Sequence, residues 1–367
     1  MTTLTRAPWG TALLLFFGCS GSPSESAAWV TSEGTQSSST SGSEESTSGG
    51  TTSVTSTSTD ALEEDSGAIE LDVGTPSEPL RVVVLSDLNG SYGSTTYAQT
   101  VHDSVQAVLA LAPDLVLSTG DMVAGQQAGL DYGAMWAGFH AAVSDHLDAH
   151  GLPFAVTPGN HDASGYPSFA LERDIFVQQW LPRKPAVDYV DDADYPLRYS
   201  FRAGPALFVS LDSTTVGPLG AEQMTWLDAQ LQAGADMPVK IVYGHVPLVP
   251  FAVGREHEII GDPALESMLE DHDVTLFISG HHHAYYPGRR GSVRYVSTAC
   301  LGSGPRALIG TTTPSPRALL VLELAADGEI TMLDALAEPT FDHPIERTTL
   351  PAMLSHGGWT VTRDDLP

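Results

Sequence analysis

Five short stretches of this chain hold side chains of the types that can bind metal ions. They are Asp87-Leu-Asn-Gly90, Gly120-Asp121, Gly159-Asn-His-Asp162, Gly244-His245 and Gly280-His-His-His283. Asp, Asn and His supply oxygen and nitrogen donors of intermediate hardness, a mixed set that suits Mn, Fe or Zn better than Ca or Cu(I). Two such ions about 3.5–4 Å apart clamp the attacking and leaving oxygens of an in-line displacement, and a water between them ionises near pH 7. The chemistry these residues could perform together is therefore metal-assisted hydrolysis.

The elements that must position them can be read from the flanking sequence. Short apolar runs precede the motifs: Arg81–Leu85, Leu115–Leu117, Pro153–Val156, Val239–Val242 and Val274–Ile278. Further strand-like runs are Ala206–Val209, Val293–Val296, Leu319–Glu323 and Ile330–Leu333. Amphipathic stretches around residues 97–111, 132–150, 221–234 and 263–271 separate them as helices. Short apolar strands alternating with helices predict an α/β domain with strands buried on both faces. In such domains the active site forms outside the carboxyl ends of the strands. All five motifs fall just there, and four place glycine directly before the polar group, where a tight turn or close backbone approach is useful.

The order and contents of the five motifs resemble those of the calcineurin-like metallophosphoesterases, a superfamily that includes purple acid phosphatases and cyclic-nucleotide phosphodiesterases. The resemblance covers about residues 80 to 336, and Ser210-Leu-Asp-Ser213 and Glu222–Leu227 add likeness to secreted members. It implies a four-layer α/β/β/α sandwich, with two mixed sheets flanked by helices, and hydrolysis of phosphomonoesters or phosphodiesters by a metal-bridging hydroxide. It also implies roles. Asp121 bridges two transition-metal ions (Mn, Fe or Zn). Asp87 and His283 serve the first ion; Asn160, His245 and His281 serve the second. His161 contacts the phosphoryl oxygens and protonates the leaving group, and Asp162 orients His161. His282 faces away, because neighbours on an extended segment point oppositely. One position departs from the family. The first motif usually reads Asp-x-His, and here the third residue is Asn89. Purple acid phosphatases also lack that His but carry a Tyr three residues after the bridging Asp, where this chain has Ala124. Either Asn89 is a carbonyl ligand of the first ion, or Asn89-Gly90 is a turn and water fills the position.

The rest of the chain sets the context. The 367 residues include 16 Lys and Arg against 45 Asp and Glu, a net charge of −29. Such a surface repels polyanions, so nucleic acid is not an expected partner. Residues 1–18 carry Arg6 and an apolar run too short to span a bilayer, which reads as a signal peptide. Phe16-Phe-Gly-Cys19 resembles a lipobox with Cys19 as the lipid attachment site, which predicts an extracytoplasmic, membrane-anchored protein. Twenty of the thirty residues from Thr31 to Asp60 are Ser or Thr, so residues 19–78 read as a flexible tether. A catalytic domain is expected over 79–338 and a tail over 339–367. Cys300 lies in an apolar run and is expected to be a buried thiol. His102, His140, His146, His150 and His272 fall on helical stretches and are assigned no role. Arg255, Arg289, Arg290 and Arg294 are either anion grips or partners in surface ion pairs. The stretch holding Arg183-Lys184 and the Asp188–Asp194 run reads as a lid or a solvated loop. The alternative to an enzyme is a surface-displayed pseudoenzyme that keeps the fold without turnover, a reading prompted by Asn89.

Overall fold

The computed structural model describes residues 78–302 and 304–367. The expected signal peptide, Cys19 and nearly all of the Ser/Thr-rich segment lie outside the described residues. In chain order the elements are β1 (Leu80–Leu85), α1 (Gln99–Leu111), β2 (Leu115–Ser118), α2 (Tyr132–Phe139), α3 (Asp145–Ala149) and β3 (Phe154–Val156). Then come α4 (Asn160–Ala163), α5 (Ala170–Trp180), β4 (Asp188–Asp191), β5 (Tyr199–Ala203), β6 (Ala206–Ser210), α6 (Ala221–Ala233) and β7 (Val239–Gly244). The chain finishes with α7 (Pro263–Asp271), β8 (Leu276–Ser279), β9 (Tyr286–Arg290), β10 (Val293–Ser297), β11 (Ala318–Leu324), β12 (Ile330–Ala337), β13 (Met353–His356) and β14 (Trp359–Arg363).

Two mixed sheets result. The first has the order β12-β11-β1-β2-β3, with β1, β2 and β3 parallel and β11 and β12 antiparallel. The second has the order β13-β14-β9-β10-β8-β7-β6-β5-β4, with β6, β7, β8 and β10 parallel at its centre. Side-chain alternation fixes how the second sheet is covered. Phe208, Ile241, Tyr243, Leu276 and Ile278 join one core with Val82, Val84 and Leu117 of the first sheet. Leu207, Val209, Val242 and Phe277 face the other way, onto Leu227 and Leu231 of α6 and Leu265 and Leu269 of α7. Helices α1 and α2 cover the first sheet through Val101, Val105, Val108, Met135 and Trp136. Local signals set the helix ends. Asp131 and Asp262 accept the backbone N–H of Ala134 and Ala264 at 2.9 Å, and Pro263 occupies the first turn of α7.

Two expectations need correction. The stretch after the third motif is not an irregular lid. It holds α5, the edge strand β4 and its neighbour β5, whose Tyr189, Tyr199 and Phe201 join the core between the sheets. The acidic run misled because its charges sit on and just after an edge strand, where Asp192 pairs with Lys184 and Asp194 with Arg198. Residues 339–367 are likewise no free tail. Trp359–Arg363 pairs with β9, and β13 adds outside it, folded back at Gly357-Gly358, both with positive φ.

Candidate metal centre

The carboxyl ends of β1, β2 and β3 deliver Asp87, Asp121 and Asn160, whereas β7 and β8 of the other sheet deliver His245, His281 and His283. The cluster therefore straddles the seam between the sheets. That seam is stitched by His281 N–H to Asp87 Oδ2 (3.2 Å), Leu301 N–H to Ser86 O (3.1 Å) and Thr157 Oγ1 to Leu211 O (2.9 Å). Four of these residues hold a left-handed backbone: Asp87 (φ 49°), Asp121 (56°), His281 (63°) and His283 (54°). Such conformations are costly for residues with a Cβ and persist where surrounding structure enforces them, commonly at functional sites. The glycines before the motifs have a second reason. A Cβ on Gly159 would lie 2.1 Å from Asp121 N, and one on Gly280 would lie 2.5 Å from Ser86 Oγ, so neighbouring motif loops touch through bare backbone.

The donor atoms converge. His245 Nε2 lies 3.3 Å from Asp121 Oδ1, 2.9 Å from Asn160 Oδ1 and 3.2 Å from His281 Nδ1. His283 Nε2 lies 3.0 Å from Asp87 Oδ1, a fully buried oxygen with no hydrogen bond of sound geometry. Ligand atoms of Asp87, Asp121 and His245 all fall within 4.8 Å of one another. The outward ring nitrogens are tied down: His245 Nδ1 to Thr119 O (2.8 Å) and His283 Nδ1 to Gly304 O (2.9 Å). Because a carbonyl oxygen only accepts, both rings must carry hydrogen on Nδ1 and direct Nε2 inward. Asn160 Nδ2 donates to Gln126 Oε1 at 3.0 Å, which turns its oxygen to the centre. Ser213 Oγ accepts the N–H of His245 at 2.8 Å.

Charge points the same way. Burial opposes ionisation of Asp87 and Asp121, but the imidazoles of His283 and His245 outweigh it and hold both carboxyls below their usual range. In return, although burial alone would lower it, Asp121 and Asp87 drive His245 up to about 9, and Asp87 raises His283. A buried donor set that draws positive charge onto its histidines suits cations. The residues fit a metal centre around Asp87, Asp121 and His245.

Other candidates fall in different places. His161 Nε2 faces the centre, 4.0 Å from Asp121 Oδ2, while its Nδ1 donates to Gly125 O at 3.2 Å. Asp162 is not placed to orient His161, which corrects that expectation. As the third residue of α4, its carboxylate accepts the N–H groups of Gly159 (3.0 Å), Met122 (2.8 Å) and Val123 (2.8 Å), locking the second motif to the third. Burial and the charge of Asp121 push its carboxyl up to about 8 against the pull of those amides. Asn89 is buried at the cleft, with Nδ2 donating to Val123 O at 3.4 Å and its N–H to Asp121 O at 3.0 Å. His282 is buried apart from the donors, between Phe251 N–H (3.1 Å) and Glu258 O (3.1 Å), and burial lowers it to about 3.

Sequence reasoning missed Glu258. Its Oε2 lies 3.0 Å from His281 Nε2, and it pairs with Arg255. A carboxylate only accepts, so His281 carries its hydrogen on Nε2 and turns Nδ1 inward, and burial lowers this ring to about 4. Glu258 sits in the loop between β7 and α7 with no motif around it. Only the contact reveals it, as a partner that fixes the orientation of His281. Arg255 also lines the site, whereas Arg289 bonds Leu366 O, Arg290 pairs with Glu266 and Arg294 lies 3.8 Å from Asp364. The cleft over the centre, about 270 Å³, is lined by Asn89, Tyr92, Asp121, Ala124, His161, Arg255, His281 and His283.

Comparison with known proteins agrees with this geometry. The probable glycerophosphodiester phosphodiesterase GpdQ of Arcobacter nitrofigilis is 27% identical over 222 residues, 59% of this chain and 68% of that protein. Purple acid phosphatase 15 of Arabidopsis thaliana is 25% identical over 251 residues; the match takes in 60% of this chain but 43% of the plant protein, under half its length. Among solved structures, purple acid phosphatase PPD1 from yellow lupin seeds shares the fold with a TM-score of 0.55 at 18% identity, covering 71% of this chain and 52% of that one. GAP50, described as the anchor in the inner membrane complex of Plasmodium, gives 0.50 at 18% identity, covering 73% and 88%. The family model of calcineurin-like phosphoesterases matches residues 80–285, from the first motif through the last, and on that match, more than half its length, this chain belongs to the calcineurin-like phosphoesterase family.

Proposed function

We propose that this chain hydrolyses small phosphomonoesters or phosphodiesters with two transition-metal ions, Mn, Fe or Zn, held at the seam between its sheets. The observation that carries this reading is convergence: Asp121 Oδ1, Asn160 Oδ1 and His281 Nδ1, from three different strand ends, all lie within 3.3 Å of His245 Nε2. Asp87, Asp121 and His283 would hold one ion, and Asp121, Asn160, His245 and His281 the other. Ions there would supply Lewis acidity and lower the pKa of water to about 7. The protein supplies the rest. His161, anchored through Nδ1 on Gly125 O, presents Nε2 to the cleft and in its protonated form can donate to a departing oxygen. Arg255 lines the same cleft and can meet phosphoryl oxygens. The full chain should release nitrophenol from nitrophenyl phosphate or its bis-ester when Mn or Zn is supplied, and Asp121→Asn should abolish release. Turnover indifferent to both Asp121→Asn and chelator would refute the reading.

Asn89 and Ala124 support one other reading, a binding protein that keeps the fold without turnover. GAP50, which shares this fold, is described as an anchor. One ion or none per chain, with no turnover on any ester, would favour it. We also propose that Cys19 carries a lipid that holds the domain outside the cytoplasm on its Ser/Thr-rich tether. Among the described residues no helix is long and apolar enough to cross a membrane. Incorporation of labelled fatty acid that survives Cys19→Ser would refute the anchor.

A further inference from the structure

Tyr92 and His161 divide the site into two lobes. One is the cleft over the metal-binding residues; the other, about 340 Å³, opens past Asn160 and His281 and is lined by Tyr92, Tyr166, Thr214 and Val216. Among the described residues only seven large apolar side chains are exposed, and three of them, Tyr92 (57%), Tyr166 (46%) and Val216 (45%), meet around this second lobe. Clustered exposed apolar side chains on a monomer mark a binding surface, whereas scattered ones need no explanation.

Each is held there by backbone rather than by burial. Tyr92 rides a turn closed by Ser94 N–H to Ser91 O and by Gly93 N–H to Ala124 O, both 2.9 Å, and its ring lies 5.3 Å from that of His161. Tyr166 follows Gly165, where a Cβ would come within 2.9 Å of Thr215, so the two loops bearing Tyr166 and Val216 touch. Gly217 N–H to Ile259 O (3.0 Å) ties the second of these loops to the one carrying Glu258. The charges that border the lobe, Arg255 and Glu258, already pair with each other. Asn160 and His281 also line this lobe, so a group that enters it lies beside the residues proposed to hold the metals, within reach of a phosphoryl group seated there. The lobe lies near the small end of ligand pockets, roughly 300–1,000 Å³.

Resting on the phosphoesterase reading above, we infer that Tyr92, Tyr166 and Val216 form a subsite for a flat, uncharged ring carried by the substrate, such as a nucleobase or an aryl group, which makes ring-bearing phosphoesters the preferred class. Ring faces stack on tyrosines in offset or edge-on arrangements, and two such contacts amount to about tenfold in affinity.

The test uses the full chain loaded with Mn and pairs of esters with leaving groups of similar intrinsic reactivity: adenosine 5′-monophosphate against ribose 5-phosphate, and benzyl phosphate against ethyl phosphate. The ring-bearing member should have about tenfold higher kcat/KM. A gap in both pairs keeps any aryl group, and a gap in the nucleotide pair alone narrows the ring to a nucleobase. The ratio should fall towards one in Tyr92→Ala/Tyr166→Ala and survive in Tyr92→Phe/Tyr166→Phe. A ratio near one in the wild type, or one that the alanines leave unchanged, overturns the subsite. Calorimetry with benzylphosphonate and ethylphosphonate, whose carbon–phosphorus bonds resist hydrolysis, separates this idea from the one beneath it. No turnover with a tenfold preference for benzylphosphonate that depends on the tyrosines would sink the phosphoesterase reading and leave the ring site standing. Equal turnover of every ester with equal phosphonate binding would do the reverse.

Discussion

Replacing Glu258 should weaken one metal site and spare the other. Its carboxylate accepts from His281 Nε2 at 3.0 Å and so holds the Nδ1 lone pair toward His245 Nε2, 3.2 Å away. Partners of this kind typically contribute 10–100-fold to metal affinity. Two features place the variants within that range. Glu258 is 38% exposed, so solvent can replace part of its charge, and Glu258→Gln keeps an acceptor; about tenfold is expected, equivalent to about 1.4 kcal/mol. Glu258→Ala also strands Arg255, whose Nη1 lies 3.5 Å from His281 Nε2, so that two donors face each other; a loss nearer 100-fold is expected. Competition with a chelator, fitted to two Mn dissociation constants, reads the effect directly. The constant for the site of Asn160, His245 and His281 should rise, and that for Asp87 and His283 should stay within about twofold. If Glu258→Ala changes neither, or weakens mainly the Asp87 site, the orienting role is wrong.

Three further outcomes follow from the geometry. Asp162→Ala should lower stability by about 2–3 kcal/mol, because three buried amides lose their acceptor, and drop the thermal midpoint by a few degrees. An unchanged midpoint with a shifted pH–rate profile would instead return Asp162 to the His161 relay. Gly159→Ala, whose Cβ would sit 2.3 Å from Asp121 Oδ1, should displace that carboxylate and cut turnover by about 100-fold, since a shift of 1 Å can cost that much; near-normal kinetics would contradict the close-approach argument. Cys300, fully buried with its thiol pushed up to about 12 by burial, should resist iodoacetamide at pH 8 in a folded Cys19→Ser chain and react on unfolding, as mass spectrometry would show.

What the sequence made legible was the part in which residue type and position are tightly coupled. Buried strands announce themselves as Val- and Leu-rich runs, and a side chain able to hold a metal must be one of few residue types at a strand end, so the residues that converge at the seam, Asp87, Asp121, Asn160, His245, His281 and His283, could be named in advance. The less legible parts are those where tertiary contact decides. Strand β4 is acidic and reads as loop, yet Tyr189 packs against Tyr195, Tyr199 and Phe201, and Val190 packs against the core on the other face of the sheet. The β13–β14 hairpin depends on an edge offered by β9, a segment too rich in Gly, Pro and Arg to look like a strand. Spacing could show that Asp162 is next to His161 but not that its carboxylate turns back to the second motif. His140, assigned no role from its place on a helical stretch, is packed between Trp136 and Trp180 and bonded to Ser144 and Gln179, with burial lowering its pKa. Glu258 and the tyrosines of the second lobe come together only in three dimensions.

The most direct measurement is anomalous diffraction from crystals of the chain soaked in Mn. The account predicts two peaks about 3.5–4 Å apart, one bonded to Asp87, Asp121 and His283 and the other to Asp121, Asn160, His245 and His281. No peak, or peaks confined to other acidic side chains of this highly negative surface, would contradict it.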